Sequence, residues 1–174
     1  ETMEGYRNLV KIVSKASTEG MLYRPRADRD LLRQYSKGII ALSACIQGEV
    51  PQYILQDNMD GARRAVEWYI ETFGKDNFFL EIQNHGLPEE LRAQQVLCQL
   101  ADEYGLGIVA SNDFHYVMKD DADAQDIRVC IQTGRRRAEV DRLKFPNDEF
   151  YLKSGDEMAE LFGHIPGVLE NTVK

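Results

Sequence analysis

The sequence predicts an α/β fold of parallel strands joined by crossover helices. Three observations carry that prediction. Short apolar runs alternate with helical segments that have one apolar face. No hairpin turn separates these runs until late in the chain. Each run also ends in polar residues suited to chemistry, which is where ligands bind in parallel α/β folds.

Taken in order, Leu9, Ile12, Val13 and Ala16 share one face at helical spacing, so residues 4–16 read as an amphipathic helix ending before Gly20. Pro25 makes Tyr23-Arg24-Pro25-Arg26 a loop, and Asp28 caps a short helix through Tyr35. Ile39-Ile40-Ala41-Leu42-Ser43 reads as the first strand and delivers Cys45. Residues 59–73 form the clearest helix, with Ala62, Ala65, Val66, Tyr69, Ile70 and Phe73 in one stripe and Gly74 placed for a left-handed cap. Phe78 to Gln83 is the next strand and runs into Asn84-His85-Gly86. Pro88 then opens a helix with Glu89 and Glu90 in its first turn, and Gly105 ends it. Gly107-Ile108-Val109-Ala110 is a short buried strand leading into Ser111-Asn112-Asp113-Phe114-His115-Tyr116, and another helix covers about 120–132.

The tail has a different character. Arg135-Arg136-Arg137 is a basic run, read as a solvated loop or a phosphate contact. Phe145 to Leu152 reads as extended and anchored by aromatics. Ser154-Gly155-Asp156-Glu157 has the form of a capping box, followed by Met158, Leu161 and Phe162 on one face.

Composition narrows the function classes. The 174 residues are 43% hydrophobic, enough for one real core. A net charge of −8 argues against a free-standing basic nucleic-acid binder. No apolar run approaches the roughly 20 residues of a membrane span. The three cysteines are far apart and include no CxxC pair, so neither a disulfide framework nor a zinc ribbon is indicated, and a reducing cytoplasm is the expected compartment.

Within the strand-end set, Asp113 and His115 fall on the same side of an extended chain. A carboxylate and an imidazole converging at a strand's C-terminal end suit a metal site or a general base, while the same residues also suit a turn cap and an exposed loop. Cys45 and His85 sit at the ends of the other two strands, on the same predicted rim.

Six stretches together resemble one family, the PHP (polymerase and histidinol phosphatase) domain at the front of bacterial replicative DNA polymerase III alpha subunits. They are Glu4 to Leu9, Ile39 to Cys45, Phe79 to Gly86, Asn112 to Tyr116, Cys130 to Gly134, and Phe145 to Ser154. The resemblance implies a distorted (β/α)7-type barrel, here partial, with zinc or manganese clustered at its rim. It implies Cys45, Asp113 and His115 as metal ligands, Asp113 and His115 as catalytic, and Glu81 and His85 as rim-lining residues. The family's opening His-x-His is missing from this sequence. Residues 1–134 are therefore expected to be the C-terminal half of a PHP domain, and 135–174 a tail leading towards a polymerase palm.

On this reading the parent subunit acts on DNA beside other replicase subunits, including a proofreading partner. The chain then carries part of a metal-dependent exonuclease site and is inactive alone. The alternative is a non-catalytic platform for docking partners, and a free-standing phosphatase is a third reading. A sheet lacking its first strands is also expected to drive self-association.

Overall fold

A computed structural model of the chain describes residues 2–173. Three strands, β1 (Ala41–Leu42), β2 (Phe78–Ile82) and β3 (Gly107–Ala110), form one sheet in the order β1-β2-β3. Both pairings are parallel, with Ala41 opposite Phe78 and Leu80 opposite Ile108. The α/β class and the parallel order are thus as the sequence predicts.

Helix α1 (Met3–Thr18) begins at Thr2, whose side chain accepts from the Gly5 N–H. Helix α2 (Arg29–Gln34) is capped by Asp28 in the same way, through Leu31 N–H. Between β1 and β2 come α3 (Glu49–Leu55) and α4 (Met59–Phe73). Helix α5 (Pro88–Tyr104) makes the crossover from β2 to β3. Beyond β3 lie α6 (Ala122–Thr133) and α7 (Gly155–Phe162).

Alternation along β2 decides where the core sits. Phe78, Leu80 and Ile82 are buried on one face, while Phe79 and Glu81 are half-buried on the other. The buried face meets Val50 and Ile54 of α3, Ala62 and Val66 of α4, and Leu97 and Leu100 of α5. The tail joins the same core through Phe162 and Val168. It is also tied to β3 by hydrogen bonds from Ala110 N–H to the Val168 carbonyl (3.3 Å) and from Asn171 Nδ2 to the Ile108 carbonyl (2.9 Å). On the sheet's other face Ile40 and Leu42 are exposed.

Several local expectations change. The first strand is two residues long, because only Ala41 and Leu42 pair with β2. Gly74 has φ +88° and ψ 149°, a positive-φ stop outside the left-handed helical region, whereas Gly105 does adopt that region at φ 62° and ψ 46°. Helix α3 went unread in the sequence, although Pro51 lies in its first turn, where proline is tolerated. The final turn, Glu170–Val173, is 3-10.

Candidate site at the carboxyl rim of the sheet

The C-terminal ends of the strands carry the predicted set, but the set divides into separate groups. Asp113 and His115 pair: Oδ1 of Asp113 lies 3.3 Å from Nε2 of His115, and both side chains are partly exposed. The His115 N–H donates to the Phe150 carbonyl at 2.8 Å, so the tail fixes the residue's backbone. Its ring rests 4.6 Å from that of Phe145. An accessible imidazole oriented by a carboxylate has the geometry of a general acid or base.

His85 is a different object. It is 1% exposed, and its ring lies flat on Phe150, 4.3 Å between centroids and 4° between planes. Glu90 is 4% exposed and reaches back from the first turn of α5. Its Oε2 accepts the His85 backbone N–H at 2.6 Å, and its Oε1 lies 2.7 Å from Nδ1. An ionised carboxylate only accepts, so Nδ1 carries the proton. Burial pushes the Glu90 carboxyl up, but the His85 ring and backbone N–H outweigh it and hold the group below its ordinary value. Asn147 completes the lock by donating Nδ2 to the His85 carbonyl at 2.7 Å. His85 therefore joins β2 to the tail from inside the protein and does not line an open rim.

Glu81 lies on the half-buried face of β2, where it accepts the Ser111 hydroxyl; its own N–H donates to Ser43 Oγ at 2.8 Å. Gln83 Nε2 donates to the same Ser111 oxygen at 2.9 Å, so side chains from all three strand ends are joined. Cys45 follows Ala44, which holds a left-handed φ of 64° that alanine rarely adopts. Its half-buried thiol is free of any disulfide. Sequence reasoning missed Glu90, Ser111, Phe145 and Phe150 as partners of these residues. The aromatic tail and the Pro88-Glu89-Glu90 turn were legible, but not what they would touch.

Along residues 1–85 the sequence matches the PHP domain. The PHP match thus covers the first 85 of the 174 residues. Nearly the whole chain is also similar to subunits named DNA polymerase III subunit alpha. The Treponema pallidum protein is 46% identical over 170 residues, covering 98% of this chain and 14% of that protein. The Borreliella burgdorferi protein is 45% identical over 170 residues, covering 98% and 15%. The Thermus aquaticus protein is 49% identical over 157 residues, covering 90% and 13%. The chain thus spans about one seventh of these relatives' length.

For a metal cluster, the donors supplied by this chain fall short. Among the described residues no group of three or more His, Cys, Asp or Glu lies close enough to hold an ion. Asp113 and His115 provide two donors and Cys45 does not join them, whereas a catalytic zinc takes three protein ligands. The predicted ligand trio does not fit a metal as it stands.

The arginine run is largely committed to carboxylates. Arg135 meets Glu139 at 3.2 Å, and Arg137 meets Asp123 at 2.5 Å and Asp126 at 3.3 Å. The Arg136 N–H donates to Glu139 at 2.7 Å. These bonds suit a tethered loop more than a phosphate cradle. Among the described residues no helix is long and apolar enough to cross a membrane.

Proposed function

We propose that the chain is a segment of a bacterial DNA polymerase III alpha subunit, and that its rim carries part of a phosphoesterase site acting on DNA ends. The observation that carries this reading is the accessible Asp113–His115 pair at the C-terminal edge of a parallel sheet, 3.3 Å apart. In this role Asp113 orients the His115 imidazole through Nε2, and His115 holds or transfers a proton at Nδ1.

Zinc or manganese is the proposed cofactor of the intact site, with further donors joining the pair and further strands closing the sheet towards a barrel. Such ions lower the pKa of a bound water and stabilise the leaving oxygen. Because the donors of this chain do not fit such an ion alone, the chain by itself is inactive. DNA and the other replicase subunits, a proofreading partner included, are the proposed partners of the whole subunit, in the bacterial cytoplasm.

Calorimetric titration of the chain with zinc and with manganese, beside Asp113→Ala, tests the reading together with an assay on labelled single-stranded DNA. Weak metal binding that disappears in Asp113→Ala, without turnover, is the expected result. Turnover that survives Asp113→Ala would refute it.

The second reading, a non-catalytic docking platform, is favoured by the exposed Ile40 and Leu42 on the open face of the sheet. Self-association through that face follows from it. Light scattering should show mass rising with concentration in the native chain and a monomer in Leu42→Asp.

A further inference from the structure

Beside the Asp113–His115 pair a groove runs between α6 and residues 143–145 of the tail. His115, Gln125, Arg128, Leu143, Lys144 and Phe145 line it, and no carboxylate is among its lining residues. Its cationic side is built into the fold. Gln125 is 5% exposed, and its Oε1 accepts Arg128 Nε at 2.9 Å. That bond fixes the guanidinium and leaves its terminal nitrogens for a ligand.

Two carboxylates of α6 are already paired with arginines. Asp126 is gripped by Arg142 at 2.5 and 2.9 Å, and Asp123 by Arg137 at 2.5 Å. The opposite side is apolar, with Leu143 68% exposed next to the half-buried Phe145 ring. Phe145 in turn abuts His115. Cations that take a phosphate, an apolar wall that takes a base, and an imidazole at one end together match a nucleotide unit.

We propose that this groove is a binding subsite for single-stranded nucleic acid, with backbone phosphate on Arg128 and Lys144 and a base against Leu143 and Phe145. The inference rests on the phosphoesterase reading, since it leads a phosphate ester to His115. Chain polarity follows from that placement: the bound strand ends at the Asp113–His115 pair and extends away along α6.

The test is fluorescence anisotropy of a labelled ten-nucleotide oligo-dT titrated with the chain at several salt concentrations. Arg128→Gln with Lys144→Gln should weaken binding about tenfold and lower the salt slope by about 1.4, the value for two lost contacts on single strands. Lys144→Glu gives the same direction without touching the Gln125 bond, which covers any misfolding of the double variant. Arg7→Gln on α1 should change nothing.

Equal binding by the native chain and Lys144→Glu overturns the proposal. So does an equal loss of binding in Arg7→Gln. Displacement of the oligonucleotide by a glutamate decapeptide at lower concentration than by unlabelled oligo-dT also overturns it, in favour of an acidic protein segment. Binding that behaves as expected, in a chain whose DNA turnover survives Asp113→Ala, supports the groove and fails the phosphoesterase reading alone.

Discussion

Removing the Glu90 carboxylate by Glu90→Ala should be one of the most damaging single changes near the rim. The reason is the number of donors it abandons. Glu90 accepts both the backbone N–H and Nδ1 of His85, a residue that is 1% exposed and sealed by Phe150. Each buried donor left without a partner costs about 1–3 kcal/mol. Two donors give about 2–6 kcal/mol, which brackets the roughly 3–5 kcal/mol typical of breaking a buried charged pair from one side.

Glu90→Gln keeps one acceptor oxygen and should cost about half as much. Urea unfolding followed by tyrosine and tryptophan fluorescence measures both, with the loss read from the midpoint at constant slope. A pH series adds a second readout. The folded carboxyl is held below its ordinary value, so its contribution is present above the unfolded pKa and is lost as pH falls through the folded one. The native chain should therefore lose stability below the ordinary carboxylate range, and Glu90→Ala should lose less. A loss under about 1 kcal/mol in Glu90→Ala would refute the reasoning, because it would mean that water reaches the His85 donors.

Two more outcomes follow from close contacts and caps. A methyl at Gly5 would sit 1.8 Å from the Gly38 carbonyl oxygen, so Gly5→Ala should push α1 off the loop before β1 and cost about 1–3 kcal/mol by thermal melting. At the start of α7, Glu157 is held down to about 2, first by the Tyr151 hydroxyl and then by the Ser154 N–H and hydroxyl. Its support is therefore full above the unfolded value near 4.5 and fades as pH falls towards 2. Ser154→Ala should cost about 0.5–2 kcal/mol at neutral pH, and the acid limb of its melting profile should be flatter than the native one.

How much was legible depended on whether the signal was local. Helix α4 declares itself because its stripe runs for 15 residues and Asn58 caps it through Gly61 N–H. Ser154 and Glu157 form the reciprocal cap that their spacing predicts. Helix α3, seven residues long, is too short to establish a period, and its proline suggests a break. At the rim Asp113 and His115 do meet, but beyond the end of β3 and across a turn in which Phe114 N–H donates to the Asn112 carbonyl at 2.7 Å. Alternation along a strand is therefore not what brings them together. The burial of His85 depends on Phe150, far along the chain, and on a carboxylate returning from α5. No window of sequence holds both. For the same reason Cys45 could be assigned to the right edge of the sheet without any means of telling that it would stand apart from the pair.

The bond from His115 N–H to the Phe150 carbonyl has a consequence for the order of assembly. The sheet needs its two crossovers closed before its parallel pairs can form, and the tail can settle only on a finished edge. The rim around His115 should therefore become native late and open early. Deuterium should enter at the His115 amide through a partial opening that releases residues 145–152 and leaves the amides of β2 protected. Release of the tail from the rim should then be read at single amides while the sheet stays protected.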